Sequence, residues 1–299
     1  MKKKVIVIGG TGFIGYHVAK FFLRKKYTVI SVSRNKPPKK RRIKKVKYLL
    51  ADITIKKKLY TKLKPHLQTN LIINLGGEVN HNKTLKTFQS HYIGTKNLFE
   101  IFCKQKLDLF VQIGSSLEYG KTKSPHKETF KANPISVYAR AKFNATKFLK
   151  KNKNFPSLIL RPYQVYGPKQ DTNRLIPFTI KNCLRNKRFN CSSGNQFRDF
   201  LYIDDFVNAL YICSNTKNKN AEIFNIGSGK TYKVKNIINL IRKKINQGNP
   251  IFGKIKLRSE ENVITYPLIK KISSKIKWYP KISLNVGLDR TIKSFKTGL

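Results

Sequence analysis

Two short stretches of this sequence carry side chains whose types and spacing could do chemistry. Tyr138 and Lys142 stand four residues apart in Tyr138-Ala139-Arg140-Ala141-Lys142, so on a helix they share a face, one turn from each other. A free phenol titrates at about 10, and a neighbouring ammonium stabilises its phenolate, which suits the pair to moving a proton near neutral pH. The second stretch is Gly9-Gly10-Thr11-Gly12-Phe13-Ile14-Gly15. Gly9 permits a sharp exit from a strand, and Gly12 lets a dinucleotide pyrophosphate approach the N–H groups of the Phe13-Ile14 turn. Gly15 lets the helix lie close on the sheet. Alone, a tyrosine and a lysine at this spacing in a lysine-rich chain say little, and loops collect glycine for turns. The surroundings of each stretch decide its meaning.

Those surroundings read as βαβ units. Short β-branched runs at 4–8, 28–32, 47–50, 71–75, 109–113 and 157–160 alternate with stretches that place apolar residues at i, i+3 and i+4. The glycine loop falls directly between the first run and a helix bearing Val18, Phe22 and Leu23. Continuous apolar runs such as VIVI and LIIN suit a sheet buried on both faces. After Gly167 the alternation loosens. The expected fold is α/β, a doubly wound parallel sheet with a smaller C-terminal lobe whose segments interleave with it. The dinucleotide-binding domain is expected over 1–166, with 200–228 returning to it, and the interleaved lobe over 167–299.

A ribose-binding acid is expected about 20 residues beyond such a loop, at the end of the second strand. Here the sequence is Ser33-Arg34-Asn35, with a guanidinium and no carboxylate, which favours the 2′-phosphate of NADP over NAD. Arg34 could equally open the basic loop that follows or stack on adenine. Asp52-Ile53, after the third strand, offers an acceptor for the adenine amino group, or a helix cap.

The chain has 299 residues, 63 Lys plus Arg against 14 Asp plus Glu, a net charge of +49 and 40% hydrophobic content. That is too much apolar matter for a disordered chain and enough length for one large α/β domain or two lobes. The lysines are scattered through every segment, as compositional drift would leave them. The densest run, 34–47 (RNKPPKKRRIKKVK), has no interleaved aromatics and no nucleic-acid-binding signature, so nucleic acid is not expected as the primary partner. Cys103, Cys183, Cys191 and Cys213 show no CxxC spacing, so neither a metal site nor a disulfide framework is expected. The apolar run after Met1-Lys2-Lys3-Lys4 stops at Gly9-Gly10, so no export signal and no membrane insertion are expected, and a cytoplasmic location follows.

Gly114-Ser115-Ser116-Leu117-Glu118-Tyr119-Gly120, followed by Pro134-Ile135-Ser136-Val137-Tyr138 through Lys142, resembles the active site of the extended short-chain dehydrogenase/reductase family, the nucleotide-sugar epimerases and dehydratases. Further matches run along the chain: Ile93-Gly94-Thr95-Lys96-Asn97-Leu98, Leu160-Arg161-Pro162 with Tyr166-Gly167-Pro168, the segment 198–205, Phe224 through Gly229, and Trp278-Tyr279-Pro280. The resemblance implies a parallel Rossmann sheet of about seven strands with a bound nicotinamide dinucleotide, a smaller C-terminal substrate-binding lobe closing over a nucleoside-diphosphate sugar, and a homodimer formed through two helices per subunit. It makes Tyr138 the general acid/base and Lys142 its partner, which also holds the nicotinamide ribose. Ser115 becomes the hydroxyl that hydrogen-bonds the reacting sugar oxygen, and Ser116, Gln164, Arg198 and Arg258 become substrate contacts, the two arginines gripping the pyrophosphate. Asp204 and Asp205 are expected to cap and orient a helix.

Departures from the family pattern are informative. Its 4,6-dehydratases place an acid one or two residues after the active-site Ser/Thr, where this chain has Ser116 and Leu117; Glu118 comes one step later and is expected to face elsewhere. A usual Asn is Gln164, and the small pair after the fourth strand is Gly76-Gly77. The implied reaction is hydride transfer at C4 of a nucleotide-activated hexose, as epimerase or 4-keto-reductase, with a dehydratase or a non-catalytic dinucleotide sensor as the alternatives.

Overall fold

The inner strands have nowhere to put a polar face. β1 (Lys4–Ile8), β4 (Leu71–Asn74), β5 (Leu109–Ile113) and β6 (Ser157–Pro162) are buried along nearly their whole length, as a parallel sheet covered on both sides requires. β2 (Thr28–Ser33) is buried between its ends, and β3 (Lys47–Leu50) is half-open because it lies at the edge. The structure, a computed structural model, describes residues 2–78, 83–216, 220–257 and 262–297. With β11 (Asn220–Ile226) the seven strands run in the order β11-β6-β5-β4-β1-β2-β3. The pairs from β3 through β6 are parallel. The expected Rossmann sheet is thus present, and its order reverses between β1 and β4. Sheets of this kind take ligands at the carboxyl edge of that switch point.

The helices α1 (Phe13–Arg24), α2 (Lys56–Leu63), α3 (Thr84–Phe88), α4 (Gly94–Phe102) and α5 (Val137–Lys151) connect the strands of this sheet. The chain divides into two units, the first comprising Met1–Gly120, Lys131–Pro162 and Val207–Phe224, the second Lys121–Phe130, Tyr163–Phe206 and Asn225–Leu299. Residues 121–130 fall in the second unit because their backbone is claimed there. His126 N donates to Tyr266 O at 3.0 Å, and its carbonyl accepts from Leu268 N at 2.9 Å. The second unit carries the short strands β7 (Gln164–Tyr166), β8 (Arg188–Asn190), β9 (Phe197–Arg198), β10 (Phe200–Tyr202), β12 (Tyr232–Lys233), β13 (Asn249–Ile251) and β14 (Ile264–Thr265). Its buried Asp199 accepts from Ser228 N at 2.8 Å and Gly229 N at 2.7 Å, which fixes the turn after β11. Asp205 accepts from Lys281 N and Ile282 N, so it orients a distant loop as well as a helix.

Three glycines of the first loop, Gly9, Gly12 and Gly15, meet different constraints. Gly9 has φ +75° and takes the chain off β1 in a conformation that favours glycine. A Cβ on Gly15 would lie 2.3 Å from the Gly9 carbonyl oxygen, so α1 can reach the strand only without one. Gly12 is different: the nearest atom to its Cβ would be that same oxygen at 3.4 Å, and its φ of −74° is ordinary. The fold therefore requires Gly15 and leaves Gly12 free for another purpose. Gly15→Ala should lower the free energy of urea unfolding by about 1–3 kcal/mol, whereas Gly12→Ala should cost less than about 1 kcal/mol; equal losses would contradict this division.

Candidate active site

α5 begins cleanly because Ser136 accepts from Ala139 N at 3.2 Å, and its first two turns carry Tyr138 and Lys142. Lys142 is buried and its ammonium donates to the carbonyl of Ile113, the last residue of β5, at 2.7 Å. That puts Nζ 5.8 Å from the centroid of the Tyr138 ring. Burial pushes the Lys142 pKa down to about 8, against the opposing pull of the Glu118 carboxylate. The other side of the phenol meets His91, edge-on at 4.9 Å between centroids. His91 sits in a π-helical turn, Gln89–Ile93, a local widening that recurs at functional sites. Sequence reasoning did not single out His91. Its signal was Gly76-Gly77, for a Cβ on Gly77 would fall 1.8 Å from the His91 ring.

Ser115 caps a single 3₁₀ turn, Ser116–Tyr119, in a capping box. Its hydroxyl accepts from Leu117 N at 3.1 Å, while Glu118 Oε1 accepts from Ser115 N at 2.8 Å. The same carboxylate, through Oε2, meets Arg161 at 2.6 Å and Thr146 Oγ1 at 2.9 Å. Glu118 and Arg161 are both fully buried, and the guanidinium lies over the Tyr119 ring at 4.6 Å. Glu118 therefore faces inward, joining the Ser115 turn to the end of β6 and to α5. Gly114 makes room for it, since a Cβ there would meet Glu118 Oε1 at 2.5 Å. Ser116, the first residue of the turn, is buried with Ser115.

The glycine loop suits a phosphate-bearing ligand. α1 starts at Gly12 with no side-chain cap and no acid in its first turn, so the positive end of its dipole at Phe13 and Ile14 is available to an anion. The Gly12 approach that a Cβ would fill is the natural place for one, and the residues fit a dinucleotide pyrophosphate. Arg34, just past β2, does not stand alone as the sequence suggested: its Nη2 is 3.1 Å from Glu78 Oε2. Asp52 Oδ1 accepts from both Thr54 N and Thr54 Oγ1 at 2.8 Å, which commits that oxygen to the turn before α2. Ile53 is buried, and its carbonyl is held by Asn97 Nδ2 at 2.8 Å, which explains why Asn97 stands in the sequence motif around it. A pocket of about 460 Å³ lies beside these residues, lined by Arg34, Asp52, Leu50, Ile55, Lys58 and Lys62 among others.

In the second unit, Arg198 Nη1 donates to Phe197 O at 2.8 Å and Val263 O at 3.3 Å, within the small β12-β9-β14 sheet. Gln164 is exposed on β7, its N–H donating to Asp199 O at 3.1 Å. Arg258 lies outside the described residues. Among the described residues no cluster of three His, Cys, Asp or Glu side chains could hold a metal ion, and no helix is long and apolar enough to cross a membrane.

Comparison with known proteins gives this geometry its context. The chain is 29% identical to a putative UDP-glucose 4-epimerase of Methanocaldococcus jannaschii, over 98% of each chain. It is 25% identical to dTDP-4-dehydro-6-deoxyglucose reductase of Escherichia coli, over 99% of this chain and 98% of that one. In fold it is similar to the crystal structure of UDP-glucose 4-epimerase from Thermotoga maritima with UDP-glucose, with a TM-score of 0.92 at 24% identity, over 99% of each chain. The NAD dependent epimerase/dehydratase family matches residues 5–227, a span that takes in the glycine loop, the Ser115 turn and the Tyr138–Lys142 pair, and the chain belongs to that family.

Proposed function

We propose that the protein catalyses reversible oxidation and reduction at C4 of a nucleoside-diphosphate hexose, with Tyr138 as acid/base. The observation that carries this reading is the placement of Lys142: its ammonium is buried against the end of β5, one turn from Tyr138 and next to the strand end from which the Ser115 turn departs. A bound nicotinamide dinucleotide supplies the hydride acceptor and donor. The loop at Gly9, Gly12 and Gly15 would hold its pyrophosphate, with Phe13 and Ile14 N–H groups as donors, and Lys142 would hold the nicotinamide ribose. Tyr138 takes the O4 proton as the alcohol becomes a ketone and returns it on reduction. Ser115 orients that oxygen by a hydrogen bond. Lys142, while charged, favours the phenolate and so lowers the cost of each transfer.

Both an epimerase, which turns the keto-sugar over before it is reduced again, and a 4-keto-reductase use this half-reaction, and relatives with each description align along the chain. Dehydration is the weaker reading. Ser116 and Leu117 occupy the places where an eliminating acid would be needed, and the Glu118 carboxylate is spent on Ser115 N, Thr146 and Arg161. The substrate pyrophosphate falls to Arg198 and Arg258 on this reading, with Gln164 and Ser116 as further contacts. Arg34 favours NADP as the dinucleotide and reduction as the net reaction. Denaturing the purified protein and identifying the released dinucleotide separates the outcomes: retained NAD+ supports the epimerase, whereas a site that fills preferentially with NADPH supports the reductase.

Tyr138→Phe should lower kcat by about 10²–10⁴-fold while dinucleotide affinity stays within about twofold; unchanged turnover removes Tyr138 from its role. The pH dependence has a definite sign. Lys142 carries its charge below about 8 and loses it above, so kcat/KM should fall as pH rises through that value, close to tenfold per unit. A profile that stays level well into the alkaline range would separate turnover from the Lys142 charge.

A further inference from the structure

The Arg34–Glu78 pair spans the place where the dinucleotide reading puts the cofactor. Ile8, the last residue of β1, is in register with Val32 on β2 and with Asn74 on β4. Arg34 and Glu78 leave those two flanking strands at the same carboxyl edge, so their contact at 3.1 Å reaches across the end of β1, where the glycine loop begins. The two partners are held very differently. Glu78 is fixed: its N–H donates to Ser90 Oγ at 2.9 Å, its carbonyl meets His91 Nε2 at 3.2 Å, and its side chain is 9% exposed. Arg34 is 46% exposed and rests on a long flexible stem.

Arg34 also lines the pocket of about 460 Å³, where Lys58 and Lys62 are its cationic neighbours and Leu50 and Ile55 supply apolar wall. On that side Lys58 and Lys62 repel the guanidinium and the Asp52 carboxylate, one oxygen of which is held by Thr54, opposes them in part; the carboxylate in contact with Arg34 is that of Glu78. A phosphate dianion in the pocket shifts the balance, because the three cations outnumber the one lining carboxylate, Asp52, and the guanidinium can bind the phosphate through two N–H groups. We propose that Glu78 sets cofactor preference by competing with an adenosine 2′-phosphate for Arg34, the phosphate being received in the pocket beside Lys58 and Lys62. This rests on the dinucleotide reading of the glycine loop. Glu78 is a specificity residue on this view: it holds Arg34 off the pocket, disfavours the 2′-phosphorylated cofactor, and leaves the cofactor with a free 2′-hydroxyl unaffected. A half-exposed ion pair is weak, so the competition should cost the phosphate only about two- to fivefold in affinity.

The test uses the full chain and two nicotinamide-free probes, adenosine 2′,5′-bisphosphate and ADP, titrated by calorimetry. Glu78→Gln keeps the side-chain shape and should tighten the bisphosphate about two- to fivefold while ADP stays within about twofold. Arg34→Met should weaken the bisphosphate, and in the double variant the gain from Glu78→Gln should vanish. The assignment is overturned if Glu78→Gln changes both probes alike, or if its gain persists without Arg34. Failure of either probe to bind any of these proteins would instead overturn the dinucleotide reading, and this inference with it.

Discussion

One buried carboxylate connects the elements that carry the candidate chemistry. Glu118 accepts from Ser115 N, Thr146 and Arg161, and so ties the turn after β5 to helix α5 and to the end of β6. Taking such a pair out of water is costly, and the attraction between its members offsets that cost only when the remaining lone pairs are also satisfied. The Glu118 oxygens are satisfied, by a backbone N–H and a threonine hydroxyl, while the buried Arg161 Nε has no hydrogen-bond partner among the described residues. The arrangement is weak evidence for stability and strong evidence for geometry: a carboxylate with fixed partners on three elements permits one placement of the Ser115 turn relative to the helix bearing Tyr138 and Lys142. Loss of either charge would strand the other in the core.

Lys142 imposes the opposite kind of constraint. Its buried ammonium is poorly solvated, which is why its pKa drops to about 8, and one carbonyl, that of Ile113, is its near contact. The unfolded chain holds this proton more tightly than the folded one. At neutral pH the folded state therefore carries a penalty, which disappears as pH rises from the folded value toward the ordinary lysine value. A fold that retains a destabilising cation one turn from a phenol is tolerating strain where charge is useful. Glu118 eases the penalty through its field, so the carboxylate that sets the geometry of the site also helps keep the lysine charged.

The sheet was legible in the sequence because strands buried on both faces leave unbroken apolar runs, and these need no partner to be recognised. The runs at 4–8 and 109–113 coincide with the buried strands β1 and β5, and the run at 47–50 with the half-open edge strand β3. Helical spacing put Tyr138 and Lys142 on one face, but in so lysine-rich a chain only the motifs around them gave the pair a meaning. What escaped depends on side chains from separate strands. His91 can lie where it meets Tyr138 only because Gly77 has no Cβ, which would fall on the imidazole ring. Arg34 looked like an unopposed cation because Glu78 lies 44 residues further along the chain. The one-residue offset of Glu118 pointed only to its facing elsewhere; neither its inward turn nor its partner Arg161 could be read, because sequence order says nothing about which neighbour a strand end will meet.

The acids of this chain carry more information than its cations. With 63 Lys plus Arg against 14 Asp plus Glu, any cationic position is easily filled, and a lysine's presence at a site says little. Several of the few carboxylates are spent on backbone N–H groups that shape turns and loops. Glu118 holds the Ser115 turn, Asp52 shapes the turn before α2, and Asp199 fixes the turn after β11. Asp205 binds the backbone at 281–282, and Glu128 accepts from Asn225 N at 2.9 Å. Glu118 and Asp199 accept through both carboxylate oxygens, which an amide of the same shape, with one acceptor, could not do. The net charge of +49 is therefore poor evidence for a polyanionic partner, while the position of a single glutamate against Arg34 bears directly on which cofactor the site admits.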